Sequence, residues 1–104
     1  MTTQATKITI VTERLIQSEV TRIIEDAGAS GYTVVEGSGK GQHGLRSSVR
    51  PQMVGAFSIV KIETLVADRG VADTIAERVI ANCFQQFSGI VYLSTVEILR
   101  PERF

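Results

Sequence analysis

Two stretches of helical period, each set between β-branched runs, limit most narrowly what this chain can fold into. From Glu13 to Ala27 the apolar residues Leu15, Ile16, Val20, Ile23, Ile24 and Ala27 recur mostly at spacings of three and four, which puts them on one face of a helix. Thr12 stands where a cap belongs, Glu13 in the first turn, and Gly28 where the helix should end. A second stripe runs from about Val71 to Phe87 through Val71, Ala72, Ile75, Ala76, Val79, Ile80, Cys83 and Phe84. Around these helices, Lys7–Val11, Gly31–Glu36, Ala56–Ala67 and Gly89–Leu99 read as strands. The order β-α-β-β-α-β predicts an α+β, ferredoxin-like sandwich, an antiparallel sheet with helices on one face. Ile59 with Val60, and Ile90 with Val91, make the third and fourth strands apolar at both parities. The second face of the sheet therefore needs cover too, and self-association with the sheets turned inward is the simplest source of it.

A length of 104 residues fits one domain, spanning residues 1–104. Formal charge is zero and the pI near 6.6, so no global field draws the chain to nucleic acid or to an anionic membrane. The single cysteine, Cys83, rules out an intramolecular disulfide and suits a reducing compartment. No apolar run reaches the ~18 residues of a membrane span. The opening MTTQATK lacks the apolar stretch of a signal peptide, so a cytoplasmic protein without direct membrane insertion is expected.

Residues 37–55, GSGKGQHGLRSSVRPQMVG, hold five glycines, a proline and three serines and show no hydrophobic period. They read as a long, flexible loop, of a length that is usually functional in a small domain. No acidic residue occurs between Gly37 and Ile62, while Lys40, His43, Arg46, Arg50 and Lys61 do. Glycines let a backbone approach a ligand and turn N–H groups toward an anion, and arginine adds a forked donor suited to phosphate. The competing reading is a solvated loop whose basic residues keep it soluble. GSGKG is not a Walker A motif, because the eight-residue pattern and its helix are missing.

Catalytic constellations are poor. His43, the only histidine, sits in the loop without a defined acid partner and reads as a surface or ligand-contact residue. Cys83 on the apolar stripe reads as a buried, inert thiol, and with no second cysteine or histidine beside it no metal site is expected. Glu25 and Asp26 read as solvated. Glu63, inside an apolar strand, is either an edge carboxylate or an acceptor for a ligand amine such as the adenine 6-amino group.

Taken together, GYTVVEGSGKG after the first helix, the long loop, VKIETLV and the closing SGIVYLSTVEILR resemble the PII signalling superfamily over nearly the whole chain. Within it, QATKITIVTERL, GASGYTVVEGSGKG and LRSS look most like the PII-like proteins of inorganic-carbon concentration, of the SbtB and carboxysome-associated PII types. The resemblance implies a homotrimer with nucleotide sites in the clefts between subunits and a T-loop at about residues 38–55. Carried over by motif, Gly31, Tyr32 and Thr33 would lie near the adenine, with Glu63 and Leu65 on its rim. Gly39, Lys40, Gly41, Arg46 and Ser47 would approach the phosphates. Gly89 and Ile90 would come from the neighbouring subunit, and Arg100 and Arg103 would add charge from the tail. Bicarbonate is implied as a second ligand, near Lys40, Gly41 and Arg46.

Departures from the classical pattern shift the expectation. Phe87, Ser88 and Ile90 surround Gly89 where classical members place a lysine and further glycines for a triphosphate, so AMP, ADP or cyclic AMP should compete with ATP. The T-loop has no tyrosine, so classical uridylylation is not expected. His43 replaces an SbtB-like arginine. The reading is a non-catalytic sensor requiring no cofactor. It binds adenine nucleotides, orders its T-loop and regulates inorganic-carbon uptake or concentration through a bicarbonate transporter or a carboxysomal component, in the cytoplasm or beside those partners. The alternatives are a slow nucleotide phosphohydrolase and a nucleotide-independent trimeric adaptor.

Overall fold

The computed structural model describes residues 2–39 and 59–100. Its elements are β1 (Thr3–Glu13), a single 3-10 turn (Arg14–Ile16), α1 (Gln17–Asp26), β2 (Thr33–Gly37), β3 (Ile59–Val66), α2 (Arg69–Asn82) and β4 (Gly89–Ile98). The strands form one sheet in the order β2-β3-β1-β4, every neighbour antiparallel. This is the ferredoxin-like arrangement the element order predicts. Most of the loop at 37–55 lies outside the described residues, as does Phe57.

Strand register sorts the side chains by face, because successive residues of a strand point to opposite sides. Val34, Ile62, Ile10 and Val91 are partners in one row across all four strands. They face the helices, where Ile62 and Ile10 are fully buried with Val20, Ile24, Ile75 and Val79. Each such side chain contributes roughly 1.5–3 kcal/mol on leaving water, and this layer is the core.

The helices form where the apolar period said, with shifted ends. β1 runs on through Thr12 and Glu13, so neither caps α1. Thr12 Oγ1 donates to the Ser88 carbonyl at 2.7 Å, and Glu13 Oε2 accepts from the Ser88 N–H at 2.8 Å. Both side chains are thereby committed to the turn that enters β4. Leu15 falls in the 3-10 turn, whose tighter winding rotates it off the α-helical stripe, and it is 71% exposed. Gly28 takes φ 97°, a left-handed value glycine adopts freely, and turns the chain out of α1. Asp68 caps α2 by accepting from the Gly70 N–H at 2.8 Å. α2 ends at Asn82, short of Phe87. Its buried line is Ala72, Ile75, Val79 and Cys83, and Ile80, one step around from Val79, is 47% exposed.

Cys83 is buried and unbridged, and burial pushes its thiol pKa up, so it stays protonated near neutrality. A disulfide reagent at pH 7.5 is expected to find no fast-reacting thiol in the native protein and one after unfolding. Rapid native labelling would contradict the packing of α2 on the sheet.

Candidate functional site

Where two paired strands differ in length, the longer leaves an unpaired edge. β2 begins at Thr33 opposite Glu63, while β3 continues to Val66. Thr64–Val66 therefore have a strand beside them only on the β1 side. The chain between α1 and β2 passes over this gap instead. Thr64 Oγ1 donates to the Gly31 carbonyl at 2.5 Å and holds that connection in place. Between the two lies a cleft of about 510 Å³, lined by Lys7, Ser30, Gly31, Tyr32, Thr33, Glu63, Thr64, Leu65, Ile98 and Arg100.

The cleft has an apolar wall and a charged margin. Tyr32, Leu65 and Ile98 supply flat and aliphatic surface. The Glu63 carboxylate lies 3.8 Å from both the Lys7 and the Lys61 ammonium groups. Both pairs are partly exposed, so they add little to stability. With Arg100 on the margin, cations outnumber acids among the lining residues. A planar ring carrying an amine and an anionic tail matches this set. The ring would lie against the apolar wall and the amine on Glu63, with the anion toward Lys7 and Arg100.

Six of the predicted site residues meet here: Gly31, Tyr32, Thr33, Glu63, Leu65 and Arg100. Glu63 is not an edge carboxylate, because β3 lies between β2 and β1. Gly39 lies past the other end of β2, where an added Cβ would sit 3.4 Å from Ile59 Cδ1. Gly89 and Ile90 lie at the opposite end of β4 from Ile98, ~30 Å away along the strand. A ligand in this cleft cannot touch both ends of one chain's β4. Lys40, Gly41, Arg46, Ser47 and Arg103, and with them the whole bicarbonate set, lie outside the described residues, as does His43.

Lys7, Ser30, Thr64 and Ile98 line the cleft but were not singled out by the sequence. Ser30 and Thr64 adjoin predicted residues in the chain. Lys7 becomes visible only through register, as the partner of Leu65. Among the described residues, no group of three or more His, Cys, Asp or Glu side chains could hold a metal ion, and no helix is long and apolar enough to cross a membrane.

Among the described residues, no helix covers the opposite face of the sheet. Val35 is 54% exposed there, Ile90 58% and Tyr92 46%, in rows with Val11, Lys61, Thr9 and Glu63.

Fold and cleft together define a small ferredoxin-like domain with a polar-rimmed cleft at one edge of its sheet. The family model for Nitrogen regulatory protein P-II matches residues 5–103, and the chain belongs to that family of PII and PII-like signalling proteins. Solved structures agree. CPII from Thiomonas intermedia K12, bound to ADP and bicarbonate, is 25% identical with TM-score 0.80, over 100% of this chain and 97% of that one. A PII-like signalling protein from Thermus thermophilus is 25% identical with TM-score 0.77, over 99% and 97%. GlnK of B. subtilis, solved as its ATP complex, shares the fold at 19% identity and TM-score 0.59, over 89% and 83%.

Proposed function

We propose that this protein is a PII-like sensor that binds an adenine nucleotide in the cleft beside Glu63. The observation that carries the reading is the cleft itself. The unpaired edge of β3, an aromatic and aliphatic wall and a lysine-flanked carboxylate suit an amino-purine, and Lys7 and Arg100 suit its phosphate. Gly39 and, from a second copy of the chain, Gly89 and Ile90 complete the site in a homotrimer. Lys40, Gly41, Arg46, Ser47 and Arg103 close on the phosphates. ADP, AMP and cyclic AMP compete with ATP, and bicarbonate is a second ligand near Lys40, Gly41 and Arg46. Support for that pairing is the relative solved with ADP and bicarbonate bound.

The output is non-catalytic: phosphate charge orders the basic T-loop and so makes or hides a partner surface. The SbtB-like and carboxysome-associated motifs point to inorganic-carbon uptake, with a bicarbonate transporter or a carboxysomal component as partner.

Calorimetry with AMP, ADP, ATP and cyclic AMP, each with and without bicarbonate, tests this. Saturable binding of at least one adenylate is expected. Glu63→Gln, which removes the charge on the amine acceptor, should weaken adenylate binding about tenfold, the worth of a charge-assisted hydrogen bond. No heat with any nucleotide would end the reading.

A further inference from the structure

Glu13 is the only buried acid among the described residues, at 1% exposed, and the nucleotide cleft does not use it. Its Oε2 accepts from the Ser88 N–H at 2.8 Å, while its Oε1 is buried without a hydrogen-bond partner among the described residues. Burying a polar oxygen with no hydrogen-bond partner costs about as much as the one hydrogen bond on the other oxygen returns, so Glu13 is poorly explained as a stabilising residue.

Its neighbour acts on the same residue. Thr12 Oγ1 donates to the Ser88 carbonyl at 2.7 Å. Consecutive strand residues point to opposite faces, so Thr12 and Glu13 straddle Ser88 from the two sides of the sheet and hold both of its main-chain groups. The next residue has no slack either. A Cβ on Gly89 would lie 2.3 Å from Phe84 Cζ and 2.9 Å from Thr12 Oγ1. Two hydrogen bonds thus hold Ser88 at the start of β4, and the crowding at Gly89 leaves no room for a side chain beside it.

We propose that Glu13 and Thr12 are positioning residues. They clamp Ser88 so that the Gly89–Ile90 backbone is presented, preset, to the phosphate end of a nucleotide held in a second copy's cleft. This rests on the proposed function, which places Gly89 and Ile90 against a neighbour's ligand. The clamp acts on the phosphate and leaves the base alone, because what it presents is backbone N–H at Gly89 and Ile90, a donor suited to an anion.

Calorimetry with ADP and with adenosine on Glu13→Ala, Glu13→Gln, Thr12→Val and Thr12→Ser tests the clamp, with thermal melts of each variant. Glu13→Ala and Thr12→Val should each weaken ADP about tenfold, one hydrogen bond to the presented turn being lost, and leave adenosine within about twofold. Glu13→Gln and Thr12→Ser keep the acceptor and the donor and should hold ADP within about threefold, with Glu13→Gln melting no lower than wild type. Equal losses for ADP and adenosine, or unchanged ADP affinity in both Glu13→Ala and Thr12→Val, would overturn the clamp. If Glu13→Ala does not fold, the near-isosteric Thr12→Val decides alone. Wild-type protein that binds no ADP removes the underlying reading, an outcome seen before any variant is compared.

Discussion

Ile62→Ala is expected to lower the unfolding free energy by about 2–5 kcal/mol. Ile62 sits on β3 between Ile10 of β1 and Val34 of β2 and is fully buried under the helices. Truncation removes apolar contact at the middle of the helix-side core, where strands on both sides prevent collapse into the gap. A domain of this size has about 5–15 kcal/mol in total, so the loss is a large share of it. Ile80→Ala is the control. It removes the same atoms from the same residue type, but at a position 47% exposed, and should stay within about 0.5 kcal/mol. Urea unfolding followed by circular dichroism separates the two. Equal losses would mean that α2 packs on a different face.

That pair also marks where the sequence could be read and where it could not. Element type and order follow from period alone, and so does the sheet topology, since the order β-α-β-β-α-β leaves few arrangements. Val71–Phe84 carried enough apolar residues to mark a helix, but too many to say which line of them is buried. Ile80 and Val79 are both apolar, and only packing against β1 and β3 decides between them. Thr12 and Glu13 were misplaced for a related reason. A threonine and a glutamate before an apolar helix match a capping signal, but their partner is Ser88, 76 and 75 residues away. A long-range partner leaves no local trace.

The cleft was legible in part because five of its lining residues, Gly31, Tyr32, Thr33, Glu63 and Leu65, cluster in two short motifs. Lys7 was not, because its place in the cleft is a consequence of strand register. The family motifs suggested that Gly89 and Ile90 come from another subunit. In one chain those two residues lie at the far end of β4 from the cleft, so the proposed site needs a second copy to bring them there.

The helix-free face of the sheet yields the prediction with the largest functional effect. Val35 on β2 and Tyr92 on β4 lie on that face at 54% and 46% exposure, with Val11 and Ile90 in the rows between and beside them. Thr9 Oγ1, also there, is buried without a hydrogen-bond partner among the described residues. The double substitution Val35→Asp, Tyr92→Asp leaves the helix-side core and the cleft residues untouched. In an assembly with sheets turned inward it buries two carboxylates without partners, which association cannot tolerate. Light scattering after gel filtration should show the mass fall from three chains to one, with the far-ultraviolet spectrum retained. ADP affinity should fall about 100-fold or more, because the second copy's Gly89–Ile90 backbone leaves with it and several phosphate contacts are lost together. A variant that stays trimeric would show that another surface joins the chains. A monomer that binds ADP as the wild type does would show that one chain completes the site by itself, and the role given to Gly89 and Ile90 would be wrong.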